Sequence, residues 1–290
     1  MCPGFSRLCA ISESGKSVNE DLFGTKGNLA WVLDGMTGHR EKPRTPAETD
    51  GKWYVKQLDD AFKQLSDRNE CLSSIARDAI ALVRERFQEV TDEDIDGAKD
   101  LPAAAGVLIR RIRTESGPDK IEYLILGDCT LLIEKTKTIV RISDERPVLK
   151  EQEQIEAMQQ ALDDGAETPM DARKQVKNLF VKNKNELNTP GGFWMFGLDP
   201  EAADEAITGM FRVSNDLKIH LMTDGFSCLV DTYHVYETWE KAIDCLHESG
   251  CEVLISEIRE VEDADPMLRK YPRTKPSDDA TLLSLTLNDA

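Results

Sequence analysis

Aspartates at the ends of apolar runs are the residues of this chain best placed to do chemistry. Trp31-Val32-Leu33 runs into Asp34-Gly35. Tyr123 to Gly127 leads into Asp128, and Ile219 to Thr223 leads into Asp224-Gly225. Asp278-Asp279 precede the run Ala280 to Leu285, and Asn19-Glu20-Asp21 stands just before Leu22-Phe23. A charge beside a core is costly unless something pairs with it. The simplest shared partner for several carboxylates is a divalent cation. Mg²⁺ and Mn²⁺ take oxygen ligands, a few of them carboxylates, with water completing the shell. A neighbouring glycine lets a backbone carbonyl approach the ion. Taken singly, Asp34, Asp224 and Asp278 read equally well as turn residues or helix N-caps. Taken together, they favour a metal site.

The elements that must position these carboxylates follow from periodicity. Phe5 to Ile11, Asp21 to Gly24 and Leu29 to Asp34 read as short strands, the last two joined by a turn at Lys26-Gly27-Asn28. Trp53, Val55, Leu58, Ala61, Phe62 and Leu65 recur at helical spacing. So do Leu72, Ile75, Ala76, Ala79, Ile80, Val83 and Phe87, and both helices are expected to pack one face on a sheet. A four-strand antiparallel meander is expected over residues 103–142, because its connections are short. Glu151 to Leu162 reads as a helix, and Ile207 to Val213 with Leu217 to Met222 as a strand pair. Phe226 to Leu229, Val235 to His247 and Cys251 to Asp263 read as helices, and Ala280 to Leu287 as a closing strand. Residues 163–206 have mixed character, and a segment of that length is more often functional than idle. The order of elements argues for an α+β fold: two antiparallel β-sheets packed as a central sandwich, flanked by α-helices. With no repeat and no low-complexity linker, residues 1–290 are expected to form a single domain.

Composition limits the partners. Net charge is −18, which argues against nucleic acid and against an anionic membrane surface. No apolar run approaches the roughly 18 residues needed to span a bilayer. The seven cysteines are irregularly spaced with no CxxC pair, so a zinc site is not expected. Reduced thiols, packed as small core residues, fit a cytoplasmic protein. Met1-Cys2-Pro3-Gly4 shows no basic region followed by an apolar one, so no signal peptide is expected. His220, inside a strand, is expected to be packed rather than catalytic.

Asn19-Glu20-Asp21, Asp34-Gly35, Gly127-Asp128, Asp224-Gly225 and Asp278-Asp279-Ala280-Thr281, in that order, resemble the motifs of the metal-dependent serine/threonine protein phosphatases, the PPM or type 2C family. The resemblance spans nearly the whole chain. It implies two Mg²⁺ or Mn²⁺ ions at one end of the sandwich. Asp34 would bridge both, the Gly35 carbonyl would hold one, and Asp224 and Asp278 the other. Glu20 and Asp21 would hold metal-bound water, and Asp128 would be available with Asp224 for a weaker third ion. It also implies that residues 163–206 correspond to the flap, which varies in that family.

Two departures stand out. The family places an arginine three residues before the asparagine, where it binds substrate phosphate; here that residue is Lys16, which supplies charge without the bidentate fork. A histidine often follows Asp-Gly as a candidate general acid; here it is Met36, with His39 three residues on as a candidate replacement. The expected activity is hydrolysis of phosphoserine and phosphothreonine in phosphorylated proteins by a metal-activated water, in a monomer. The alternatives are a phosphatase-like scaffold that has lost turnover and binds a phosphoprotein or regulatory partner, and an enzyme acting on a small phosphorylated metabolite.

Overall fold

The computed structural model describes residues 4–38, 40, 42–92, 94–95, 100–136 and 138–287. The chain opens with strands β1 (Phe5–Glu13), β2 (Asp21–Lys26) and β3 (Leu29–Met36). Helices α1 (Asp50–Leu65) and α2 (Leu72–Val90) follow. Next come β4 (Ala103–Ile112), β5 (Lys120–Leu126), β6 (Thr130–Lys135) and β7 (Thr138–Ile142). Three helices come next: α3 (Glu145–Asp163), α4 (Pro169–Gln175) and α5 (Lys177–Asn185). A 3₁₀ turn at Pro200–Glu205 leads to β8 (Ile207–Arg212) and β9 (Lys218–Met222). Helices α6 (Asp224–Asp231), α7 (Trp239–Ser249) and α8 (Cys251–Ala264) precede β10 (Ala280–Leu287).

The strands form two five-stranded antiparallel sheets, ordered β1-β10-β9-β6-β7 and β2-β3-β4-β5-β8. Alternation along β3 shows how they stack. Leu29, Trp31 and Leu33 join the core under α1 and α2, while Ala30 and Val32 join the core between the sheets. The ring of Trp31 lies 5.5 Å from that of Phe62, and Phe62 lies 5.9 Å from Phe196. A third core packs the other sheet against α6, α7 and α8 through Leu132, Met222, Phe226, Leu254 and Ile258. The result is a helix–sheet–sheet–helix stack, the expected α+β sandwich. Each buried large side chain contributes about 1.5–3 kcal/mol, so these three cores supply the main driving force for the layers. All the residues read at helical spacing in α1 and α2 are buried.

Several local expectations change. The four-strand meander is two hairpins: β5 pairs with β4 and β8, and β6 pairs with β7 and β9. Gly127, at φ 80°, turns the chain from one sheet into the other, and a Cβ there would meet that of Ala105 at 2.5 Å. β8 and β9 do not pair with each other, because each finds its partner in a different sheet. β3 runs past Asp34 to Met36, since Asp34, Gly35 and Met36 pair with Ala105, Ala104 and Ala103. Helix α3 starts at Glu145, capped by Asp144, and α7 starts only at Trp239, capped by Thr238. Residues 163–206 hold α4, α5 and the 3₁₀ turn. Cys129 and Cys251 are buried as expected, but Cys71 is exposed at the head of α2.

Candidate active site: a carboxylate cleft at the edge of the sandwich

The alternation that packs β3 also aims its aspartate. Ala30 and Val32 face the opposite sheet, and Asp34 continues that side one step past the core. Asp21, the first residue of β2, is its direct register partner, and cross-strand partners share a face. Asp128 sits in the crossover between the sheets, Asp224 is the first residue of α6 after β9, and Asp278 stands just before β10. Strands from both sheets thus deliver carboxylates to one place. A cleft of about 370 Å³ is lined by Lys16, Glu20, Asp34, Gly35, Asp128 and Asp224, among others. It adjoins a groove of about 800 Å³ that shares Asp128, Glu151, Asp224 and Lys275 with it and also reaches Asp278 and Trp239.

The electrostatics report the crowding. Burial, then the charges of Asp21, Asp224 and Asp278, push the Asp34 carboxyl well above the usual carboxylate range. Asp34 also stands within hydrogen-bonding reach of Asp224. Burial and then Asp278 do the same to Asp21, against a hydrogen bond from Thr223 Oγ1 at 2.8 Å. Asp21 Oδ1 is buried with no hydrogen-bond partner among the described residues. Asp128 is raised by burial and by Asp224, and so belongs to the Asp224 side of the cluster. Asp278 is raised to about 6 by burial, although Lys275 works the other way.

Neighbouring residues frame this cluster. Asp279 is buried and accepts from Ser14 Oγ (3.0 Å), Gly15 N (3.0 Å) and Glu20 N (2.8 Å), which fixes the loop carrying Lys16. Gly35 N donates to the Glu20 carbonyl at 3.0 Å, and a Cβ at Gly35 would meet that carbonyl oxygen at 2.7 Å. Glycine is therefore required there by close approach. Glu20 uses both carboxylate oxygens, accepting from Thr37 Oγ1 and from Lys16 Nζ. Lys16 also lies 3.4 Å from Asp279; burial works against its charge, but Glu20 leaves its pKa raised. Met36 borders the cleft, and His39 lies outside the described residues.

Residues that the motifs did not single out also stand here. Lys275 Nζ pairs with Asp278 Oδ2, and the charges of Asp278, Asp224 and Asp34 overcome burial to hold its pKa well above the usual lysine value. Its place in a basic loop three residues before Asp278 was the available signal. Glu151, pushed to about 7 by burial and then by Asp224, comes from α3. Arg173 comes from α4 and also lines the cleft. No local pattern marks either. Among the described residues, no group of three or more His, Cys, Asp or Glu side chains is already arranged to hold an ion.

No family model matches the chain, and no curated protein matches it in sequence. Solved structures match its fold. The Mycobacterium tuberculosis serine/threonine phosphatase PstP/Ppp superposes with a TM-score of 0.57 at 16% identity, over 97% of this chain and 98% of that one. PppA, described as a key regulatory component of T6SS in Pseudomonas aeruginosa, gives 0.57 at 16% identity, over 97% and 96%. The catalytic domain of PstP in complex with two manganese ions gives 0.54 at 17% identity, over 97% of each chain. The chain therefore has the fold of the PPM-type serine/threonine phosphatases, as its motifs led one to expect. Among the described residues, no helix is long and apolar enough to cross a membrane.

Proposed function

We propose that this protein is a divalent-metal-dependent phosphatase that hydrolyses phosphoserine and phosphothreonine in proteins. The observation that carries this reading is the surplus of carboxylates at the cleft, with Asp21, Asp34 and Asp128 all pushed well above the usual range. Perturbed groups in a cleft mark functional sites more often than structural ones. The donor set fits a hard cation: it is all oxygen, and Asp21 Oδ1 is a buried acceptor with no donor among the described residues.

In this reading Asp34, the Gly35 carbonyl, Asp224 and Asp278 would hold the two ions. Glu20 and Asp21 would hold water beside them, and Asp128 with Asp224 would be available for a third. Bound there, Mg²⁺ or Mn²⁺ would supply positive charge to the phosphate oxygens and acidify a water for in-line attack. Lys16 adds positive charge beside Glu20. The groove of about 800 Å³ that continues from the cleft supports a polypeptide substrate over a small metabolite, which would leave it unfilled. The neighbouring PstP structures, a serine/threonine phosphatase and its manganese complex, support the same reading.

The test is turnover of a phosphopeptide panel and of p-nitrophenyl phosphate, with Mn²⁺ or Mg²⁺ and then with EDTA, beside calorimetric titration of the metal. Activity that requires added metal is expected. Activity untouched by EDTA would overturn the metal chemistry. Binding of metal and phosphopeptide without turnover would overturn hydrolysis and leave a scaffold.

A further inference from the structure

Five cations line the cleft: Lys16, Lys150, Arg173, Lys184 and Lys275. Four are already spent. Lys16 pairs with Glu20, Lys150 with Glu186 at 2.8 Å, Lys184 with Asp100 at 3.0 Å, and Lys275 with Asp278. Arg173 alone of the five has no carboxylate within ion-pair distance among the described residues. Its Nη1 donates to the Thr274 carbonyl at 2.9 Å, and its other nitrogens have no hydrogen-bond partner among those residues. The guanidinium carbon lies 4.0 Å from the ring centroid of Phe180, which is itself buried at 5% exposure.

Arg273, on the loop that follows α8, shows what a structural arginine looks like in this molecule. It is buried, its Nη1 donates to Asp265 Oδ2 and to the Tyr271 carbonyl, both at 2.9 Å, and its remaining nitrogens reach the carbonyls of Glu262, Asp265 and Pro276. Arg173 is positioned by one carbonyl and one ring face instead. Such stacking does not replace a counter-anion for a half-buried charge. The carboxylates whose charge it feels are Asp278 and Glu151, at the cleft. A planar fork with free N–H groups matches two oxygens of a phosphate, which an ammonium cannot do.

We propose that Arg173 is the phosphate-binding guanidinium of this cleft, and that it takes the role Lys16 is too committed to perform. The proposal rests on the phosphatase reading and deepens it. The grip on the substrate's phosphoryl oxygens comes from the α4–α5 segment rather than from the N-terminal loop. Because Arg173 also anchors to Thr274, next to Lys275, substrate binding ties that segment to the loop that carries Asp278.

The test uses the full chain with Mn²⁺ and reads inorganic phosphate binding by calorimetry, which does not require turnover. R173Q is expected to weaken phosphate by about tenfold to a hundredfold, the effect of losing charge-assisted hydrogen bonds. R173K, which keeps charge but not the fork, should recover only part of this. Melting temperature and Mn²⁺ stoichiometry should match the wild type in both, which a purely structural arginine would not allow. In turnover, the Michaelis constant for phosphopeptide should rise more than kcat falls. R173Q that binds phosphate within twofold of the wild type overturns the proposal, as does Mn²⁺-loaded wild type that binds no phosphate. Wild type that binds phosphate in an Arg173-dependent way but hydrolyses nothing overturns the catalytic reading alone.

Discussion

Two clusters of charged side chains sit on these sheets, and they behave in opposite ways. Glu134, on β6, accepts from Lys218 Nζ at 2.8 Å and lies 2.9 Å from His247 Nε2. The buried His220 lies 3.0 Å from it through Nε2, while its Nδ1 lies 2.9 Å from the Ser284 hydroxyl. Burial works against the Glu134 charge, yet these partners hold its carboxyl down at about 2. At the cleft, Asp21, Asp34 and Asp128 are driven the other way. The difference is the supply of partners. One lysine and two imidazoles surround a single carboxylate at Glu134, whereas Lys275 and Lys16 face a whole group of acids. A satisfied cluster stabilises the fold; an unsatisfied one stores repulsion that a ligand can relieve.

The contrast can be broken by exchanging the roles. Asp34→Asn should lower metal-dependent turnover about a thousandfold or more, equivalent to about 4 kcal/mol of barrier. The metal-free variant should melt no lower than the wild type, because a repelling charge is gone. Glu134→Ala should do the reverse. Loss of the shared carboxylate should destabilise the protein by about 1–3 kcal/mol in denaturant titration, the cost of leaving its partners unsatisfied, with turnover per folded molecule unchanged within about twofold.

The pH dependence sharpens the same point. Asp278, raised to about 6, and Glu151, raised to about 7, bind more protons folded than unfolded. Stability of the metal-free protein should therefore be highest at the acid side and fall as pH rises from about 4 to 7. Saturating Mn²⁺ should flatten that slope, and Glu151→Gln should reduce it. Glu134 has the opposite sign: its stabilisation is present above its unfolded value and is lost as pH falls from about 4 toward 2. Melting curves across pH, with and without Mn²⁺, read both limbs. The smallest effect is expected for Lys16→Met, a few-fold change in phosphopeptide turnover, since that ammonium already serves Glu20 and Asp279.

The layers and most of the cleft's acids were legible because each follows from a local rule. Alternation marks a strand, a 3.6-residue period marks α1 and α2, and a carboxylate ending an apolar run stands out against its neighbours. Strand partners were not legible. Nothing local to Gly127 or to Ser214-Asn215-Asp216 tells the chain to cross between sheets, because pairing is decided by surfaces distant in sequence. The framing role of Asp279 was hidden for the same reason: only the loop from Ser14 to Glu20 supplies the donors that turn it inward. Arg173, Glu151 and Lys275 carry no motif. Composition and spacing determined which acids this chain could gather and which fold could gather them. Tertiary structure alone decided which basic groups would remain unpaired beside them, since a charge is spent or free only according to what stands next to it in space.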